Sequence, residues 1–453
     1  VEDDRAERLV GDAIEVGLGA LSAASGTPGA RSDNDSGHAR LGLALAWAGA
    51  GRPTDARAAF EDARRSFLAA GNRFMAAAAL KWQIIELTLT WDAGDLAGRE
   101  ALLAEYDRIW WEDRKARGDP GGRRHLPLFP PLIVAGRWSE ARQAAESYLS
   151  DSYLRVDCLA ALAELDWSQG RTEDAWRRVT TGLPAGPATE SSTPFFVRSL
   201  ALIRVAVALA LDDGNLDLAR AWLAAHERWL KSSGRVLDRP AAEVLVARLH
   251  ELAGDLDAAR EHAAAAIALA SGPCQPLALA DAHRAAGRVA RLAGEPDTAR
   301  EQLALAATMA GDAGSPPLRA RVLLERAELD LDCDDASDAE RALDAAIAVL
   351  EPLDAAPALR HAASLREALG RSGRRASVPF GLSAREVEVL ALVARGMTDN
   401  DVADQLYISP RTVARHLQSI YNKLGVSSRT AATAIGYDHG IVTPASPAAR
   451  RDA

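Results

Sequence analysis

Ser409-Pro410-Arg411-Thr412-Val413-Ala414-Arg415-His416-Leu417-Gln418-Ser419-Ile420-Tyr421-Asn422-Lys423-Leu424 decides the fold of the C-terminal end. A serine ahead of a proline is a helix start. The hydroxyl caps a backbone N–H, and proline at the first helical position lacks an N–H that would have no partner anyway. Val413, Leu417, Ile420 and Leu424 then recur at i, i+4, i+7 and i+11, one apolar stripe on a helix. The opposite face carries Arg411, Ala414, Arg415, Gln418, Ser419 and Asn422. Upstream, Thr398 is placed to cap a second helix, with Asp399 and Asp401 in its first turn, where the helix dipole favours acids. That helix should pack through Val402, Ala403 and Leu406. Further back, Ser383 and Glu386 have the spacing of a capping box. They open a helix expected to bury Val387, Leu390, Ala391 and Val393 and to stop near Gly396. Three short capped amphipathic helices with a tight Ser-Pro joint predict a helix-turn-helix.

The outer face of the third helix has the chemistry of a base reader. Arg and Gln make bidentate contacts to guanine and adenine edges in the major groove. From Gln405 to Thr430 the charges are Arg411, Arg415, Lys423 and Arg429, with no acid, whereas 380–404 holds five acids against Arg385 and Arg395. Phosphate contact requires such an acid-free basic face. Lys423, near the helix end, is a candidate phosphate contact. The competing interpretation is a small solvated bundle with an incidental basic face. Caps, turn and charge agreeing at one place argue against it.

Leu382-Ser-x-Arg-Glu-x-Glu-Val-Leu, Ala394-x-Gly396, Val402-Ala403, Ser409, Thr412-Val413, His416, Ile420, Lys423-Leu-Gly-Val and Ser428-Arg429-Thr430 resemble the LuxR/GerE-type DNA-binding domain over about 380–442. The resemblance implies that the third helix enters the major groove of double-stranded DNA. It also implies a fourth helix, near 428–437, supporting a dimer on inverted half-sites. Together with the outer face it gives a candidate DNA-binding set of Thr398, Ser409, Arg411, Thr412, Ala414, Arg415, His416, Gln418, Ser419, Asn422 and Lys423. Two positions depart from the commonest pattern: Asp399 stands where Asn is usual, and Ala414 where Lys is usual. The missing Lys removes one expected contact, which Arg415 next door could take over.

The preceding 370 or so residues read as repeats. Gly51-Arg-Pro-Thr-Asp-Ala-Arg recurs as Gly136-Arg-Trp-Ser-Glu-Ala-Arg, Gly170-Arg-Thr-Glu-Asp-Ala-Trp, Gly214-Asn-Leu-Asp-Leu-Ala-Arg, Gly254-Asp-Leu-Asp-Ala-Ala-Arg and Gly294-Glu-Pro-Asp-Thr-Ala-Arg. A degenerate copy, Asp334-Asp-Ala-Ser-Asp-Ala-Glu, follows, and a shortened one begins at Gly94-Asp-Leu. The glycine ends one helix, an acid often starts the next, and the alanine lets the two approach closely. Small or apolar residues follow that alanine at +4 and +7: Phe60 and Ala63, Ala263 and Ala266, Leu303 and Ala306, Leu343 and Ala346. The pattern resembles the tetratricopeptide repeat, with spacing longer than the usual ~34 residues. The expected fold is all-α: a solenoid of tetratricopeptide-like helix pairs with a concave groove, then a small four-helix LuxR-type domain. Expected boundaries are an N-terminal helix and flexible segment over 1–36, repeats over 37–369, a linker over 370–379, the DNA-binding domain over 380–442 and a disordered tail over 443–453. Two loops are expected, one from Trp110 to Pro131 and one from Leu183 to Pro194. All ten Trp fall between Trp47 and Trp229. They are expected to pack between helices; the alternative sets some along a groove for a ligand or peptide.

Composition restricts the function class. The 453 residues carry a net charge of −10, so the basic face is local and the remainder keeps the chain soluble. Cys158, Cys274 and Cys333 are widely spaced, which implies reduced thiols in a cytoplasmic protein and no zinc framework. Leu200–Leu211 is too short to span a bilayer and contains Arg204, so no membrane partner is expected. No P-loop, His-Glu-x-x-His or Gly-x-Ser-x-Gly occurs, and no cofactor, metal or enzymatic activity is expected. His226, His250, His262 and His283 read as satisfied surface or core residues. The expected function is a DNA-binding transcriptional regulator whose repeats take an effector or protein partner. Alternatives are a protein-interaction scaffold, or the C-terminal piece of a larger ATPase-containing LuxR-type regulator, since the sequence begins at Val1.

Overall fold

The computed structural model describes residues 30–116, 128–151, 154–190, 196–233, 235–375 and 379–442. Among them every regular element is helical. Two compact units divide the chain, Val1–Glu325 with Ala345–Arg360, and Arg326–Asp344 with His361–Ala453.

Each of the six full copies of the phrase marks a helix–helix joint. Gly51, Gly136, Gly170, Gly214, Gly254 and Gly294 all hold φ between +70° and +82°, the left-handed region that glycine adopts without a Cβ clash. The residue after each glycine donates its N–H to a carbonyl five residues back: Arg52 to Trp47 at 2.8 Å, Arg171 to Asp166 at 2.7 Å, Asp255 to His250 at 2.9 Å. This is a Schellman stop, which satisfies carbonyls left over at the helix end. In the degenerate copy Asp334 takes the same conformation, with φ +58°. The phrase alanines Ala56, Ala141, Ala175, Ala219, Ala259, Ala299 and Ala339 are fully buried. Successive helices run Ala30–Gly49 and Pro53–Ala69, and later Arg239–Leu252 and Leu256–Ser271, then Pro276–Leu292 and Pro296–Asp312.

Within the first unit the array returns on itself. Arg99 donates to the Ala313 carbonyl at 3.2 Å, Gln169 to the Leu353 carbonyl at 2.8 Å, and the Val236 N–H to the Gly49 carbonyl at 2.9 Å. Arg235 and Glu86 form an ion pair at 2.6 Å, both nearly buried. Charged side chains inside the unit form mutually compensating sets. Arg284 binds Asp281 at 2.9 Å and Glu325 at 2.6 Å, and Arg288 binds Glu251 at 2.6 Å and Glu325 at 3.1 Å. Burial opposes ionisation of Asp281 and Glu325, yet the arginines outweigh it and hold both below the usual carboxylate range.

Several expectations change. The repeats begin before residue 37, because one helix runs Ala30–Gly49; residues 1–29 lie outside the described residues. Trp110–Lys115 is not loop: helix Leu96–Ala116 continues through it, with Tyr106, Ile109 and Asp113 buried at i, i+3 and i+7. The remainder of that expected loop is helix from Phe129 to Val134, with 117–127 outside the described residues. In the second expected loop, Gly186–Ala188 forms a 3-10 turn, and residues 191–195 are not described. The expected linker is helical as far as Arg375, because Ala356–Arg375 propagates through Gly370. It also holds Gly373, and each glycine costs a helix only about 1 kcal/mol. The 443–453 tail lies outside the described residues. Among the tryptophans, Trp91, Trp138, Trp222 and Trp229 are buried between helices, as expected for packing, whereas Trp111 is 49% exposed. His262 and His283 have partners, Glu243 at 2.6 Å and Gln302 at 2.7 Å. His226 departs from the satisfied-core reading: it is buried, and among the described residues neither ring nitrogen has a hydrogen-bond partner. Burial and Arg204 push its pKa down to about 4, so the ring is neutral. Among the described residues no helix is long and apolar enough to cross a membrane.

Candidate nucleic-acid interface

Four helices build the C-terminal domain: α1 (Ala384–Ala394), α2 (Asp399–Leu406), α3 (Pro410–Leu424) and α4 (Arg429–Asp438). Each start is fixed by a side chain. The Ser383 hydroxyl accepts from the Glu386 N–H at 3.2 Å while Glu386 accepts from the Ser383 N–H at 2.6 Å. Thr398 and Asp401 repeat the arrangement for α2, with the Thr398 N–H donating to Asp401 at 2.8 Å. These bonds from Thr398 pull the Asp401 carboxyl below its usual range. Ser409 accepts from the Thr412 N–H at 3.1 Å, and Pro410 opens α3. Gly425, at φ +67°, ends it. The core is Leu382, Val389, Leu390, Leu392, Val393, Val402, Ala403, Val413, Leu417, Ile420, Leu424, Ala432 and Val442. Val389 and Leu392 are buried where Val387 and Ala391 were expected, and those two pack at the margin.

All four members of the α3 stripe are buried. Opposite them Arg411, Ala414, Arg415, Gln418 and Asn422 are exposed, at i, i+3, i+4, i+7 and i+11. Gln418 donates to Asn422 at 3.3 Å, so the two amides are held side by side along the helix. Thr412 and His416 are half-buried at the edge of this face. Burial, and then the neighbouring Arg415, lower the His416 pKa, so at neutral pH it offers a neutral ring rather than a cation. Thr398 and Ser409 are exposed but serve as helix caps.

Ser419 and Lys423 both reach Glu386. Glu386, only 3% exposed, accepts from Ser419 Oγ at 2.6 Å and from Lys423 Nζ at 2.9 Å, besides its cap bond. Burial alone would raise its carboxyl, but these three donors more than offset that and hold it below the usual range. Lys423 remains exposed on α3 while it pairs with the Glu386 carboxylate. A buried carboxylate requires a partner, and Lys423 Nζ supplies one. Asp399, the departure from the commonest pattern, is matched by Arg429 at 2.5 Å, which also donates to the Met397 carbonyl. Tyr437 donates to the Ala394 carbonyl at 2.9 Å and fastens α4 to α1. Glu386 and Arg429 went unrecognised as organising residues because their partners lie 30 to 37 positions away.

Residues 381–435 match the model of bacterial regulatory proteins, luxR family. The domain is LuxR-type. Over 61 residues it is 51% identical to the transcriptional regulatory protein NarL of Mycobacterium tuberculosis, covering 14% of this chain and 28% of that protein. Over 62 residues it is 47% identical to the transcriptional regulatory protein YdfI of Bacillus subtilis, covering 14% and 29%. The chain therefore spans less than a third of the length of these two relatives. Among solved structures, a Rap protein complexed with competence and sporulation factor aligns with a TM-score of 0.45 and 14% identity, over 75% of this chain and 99% of that one. A tetratricopeptide repeat protein from Parabacteroides merdae aligns at 0.35 and 16%, over 67% and 97%.

Proposed function

We propose that this protein is a sequence-specific transcriptional regulator that reads the major groove of double-stranded DNA with α3, and whose repeats hold an effector or protein partner that alters DNA occupancy. One observation carries the reading: Arg411, Ala414, Arg415, Gln418 and Asn422 form a single exposed stripe opposite a fully buried one, in a segment without acids. Side chains of that kind meet base edges, and an acid-free surface tolerates the phosphate field. Dimerisation through α4 on inverted half-sites belongs to the same reading.

Gel shifts with the chain's own upstream DNA test it. Arg415→Ala should cost ~1–3 kcal/mol on the bound site and relax preference at the base it contacts. Equal affinity of variant and parent would remove α3 from the interface. Comparing the full chain with residues 370–453, with and without cell extract, tests the regulatory half. Identical affinities throughout would favour the scaffold reading, in which Ala414 marks a weakened DNA surface.

A further inference from the structure

Inside the first unit lies a cavity of about 380 Å³, within the range of small-molecule sites. Two irregularities meet on its wall. The π-helical segment Gln83–Thr88 places Ile85 and Glu86 there, and π segments recur at functional sites. Asp238 adopts φ +69°, a strained conformation for a residue other than glycine, and binds Arg204 at 2.6 Å.

The third observation is a charge left without a partner. The wall carries four acids, Glu86, Asp157, Glu164 and Asp238, against three bases, Lys81, Arg204 and Arg235. Glu86 is bound to Arg235 and Asp238 to Arg204, each at 2.6 Å, and Asp157 and Lys81 both have partners. Glu164 has no hydrogen bond or ion pair among the described residues; Arg321 and Arg204 act on it only through space. Protein surrounds it, yet its side chain keeps accessible surface, because that surface faces the cavity. Burial accordingly raises its carboxyl, whereas arginines lower Asp238, Asp281 and Glu325 in the same unit. Asp238, Asp281 and Glu325 each have an arginine in contact, and among the described residues Glu164 has none. Around it, Trp82, Phe129, Leu237 and Leu277 provide apolar and aromatic surface.

We propose that this cavity is the effector site of the repeats and takes a small organic ammonium compound, its apolar body against Trp82 and Phe129 and its charged nitrogen on Glu164. The chemistry stands on the cavity; its regulatory consequence rests on the function proposed above. A ligand cation gives Glu164 a hydrogen-bonded counter-charge, whereas a carboxylate ligand sets a like charge beside it.

Titration calorimetry of the full chain with phenethylamine, phenethyl alcohol and phenylacetate compares one body carrying three charges. The amine should bind at least about tenfold more tightly than the alcohol, and phenylacetate more weakly still, as expected when one charge-assisted hydrogen bond is the difference. Glu164→Gln should lower amine affinity about tenfold and bring amine and alcohol together. Removing an unpaired buried charge should not impair folding, which far-UV circular dichroism checks. Ala201→Phe, placed on the cavity wall, should abolish binding of all three while leaving Glu164 in place. Phenylacetate binding as tightly as the amine, unchanged amine affinity in Glu164→Gln, or no binding of any probe at millimolar concentration would each overturn the proposal. DNA gel shifts separate the two readings. An amine that binds but leaves DNA affinity unchanged defeats the effector role. An extract that alters DNA occupancy of Glu164→Gln as it does the parent keeps the regulatory reading and excludes this cavity as its site.

Discussion

Glu386→Ala should destabilise the C-terminal domain by roughly 3 kcal/mol. Three bonds are lost together. The cap bond from the Ser383 N–H contributes ~1 kcal/mol. The hydrogen bond from Ser419 to a carboxylate contributes about 1.5–3 kcal/mol. The pair with Lys423 adds only about 0–1 kcal/mol, because the lysine side chain is 38% exposed and screened by solvent. Urea unfolding of residues 378–442, followed by far-UV circular dichroism, reads the change as a lower midpoint at constant slope. The pH dependence supplies a second check. The carboxyl lies below its ordinary value of 4.5 in the folded domain. Its contribution is therefore complete above pH 4.5 and is lost as the pH falls from there through the lowered folded value. The parent should weaken across that window, and Glu386→Gln should lack that part of the loss, keeping the part due to Asp401, which is lowered too. A destabilisation below about 1 kcal/mol, or identical acid profiles of parent and Glu386→Gln, would refute the role assigned to this carboxylate.

Ala414→Lys restores a cation to the exposed stripe and should tighten binding to all DNA sequences while steepening the salt dependence by about one unit; an unchanged slope would take position 414 out of reach of phosphate. Tyr407, 95% exposed at φ +55°, is replaceable by asparagine, which tolerates that conformation; Tyr407→Asn should stabilise the domain by up to ~1 kcal/mol in the same urea experiment, and a loss would point to an unrecognised contact. Arg235→Ala leaves Glu86 buried without its cation and should cost ~3–5 kcal/mol in thermal or urea unfolding of the full chain; a cost under about 1 kcal/mol would contradict the role given to this buried pair.

Local pattern determined the helices and where they stop. The Gly-x-x-x-x-Ala phrase specifies a left-handed helix stop followed by a close helix contact, both settled within seven residues, so Gly51 through Gly294 and Ala56 through Ala339 behave as their letters say. The same holds for the caps Ser383, Thr398 and Ser409 and for the buried stripe of α3. Composition misled where it competed with periodicity. Trp110–Lys115 is charged and irregular to the eye, yet the i, i+3, i+7 burial of Tyr106, Ile109 and Asp113 carries the helix through it. Tertiary structure alone decided what joins distant segments. Gln169 meets Leu353 across 184 positions and Glu86 meets Arg235 across 149, and no local signal encodes either. The pair of Lys423 with Glu386 is of the same kind, because the buried carboxylate it meets lies 37 residues away. Short-range spacing sets backbone conformation because those interactions close small loops; where a long charged side chain finds its counter-ion depends on which distant groups the packed fold has removed from water.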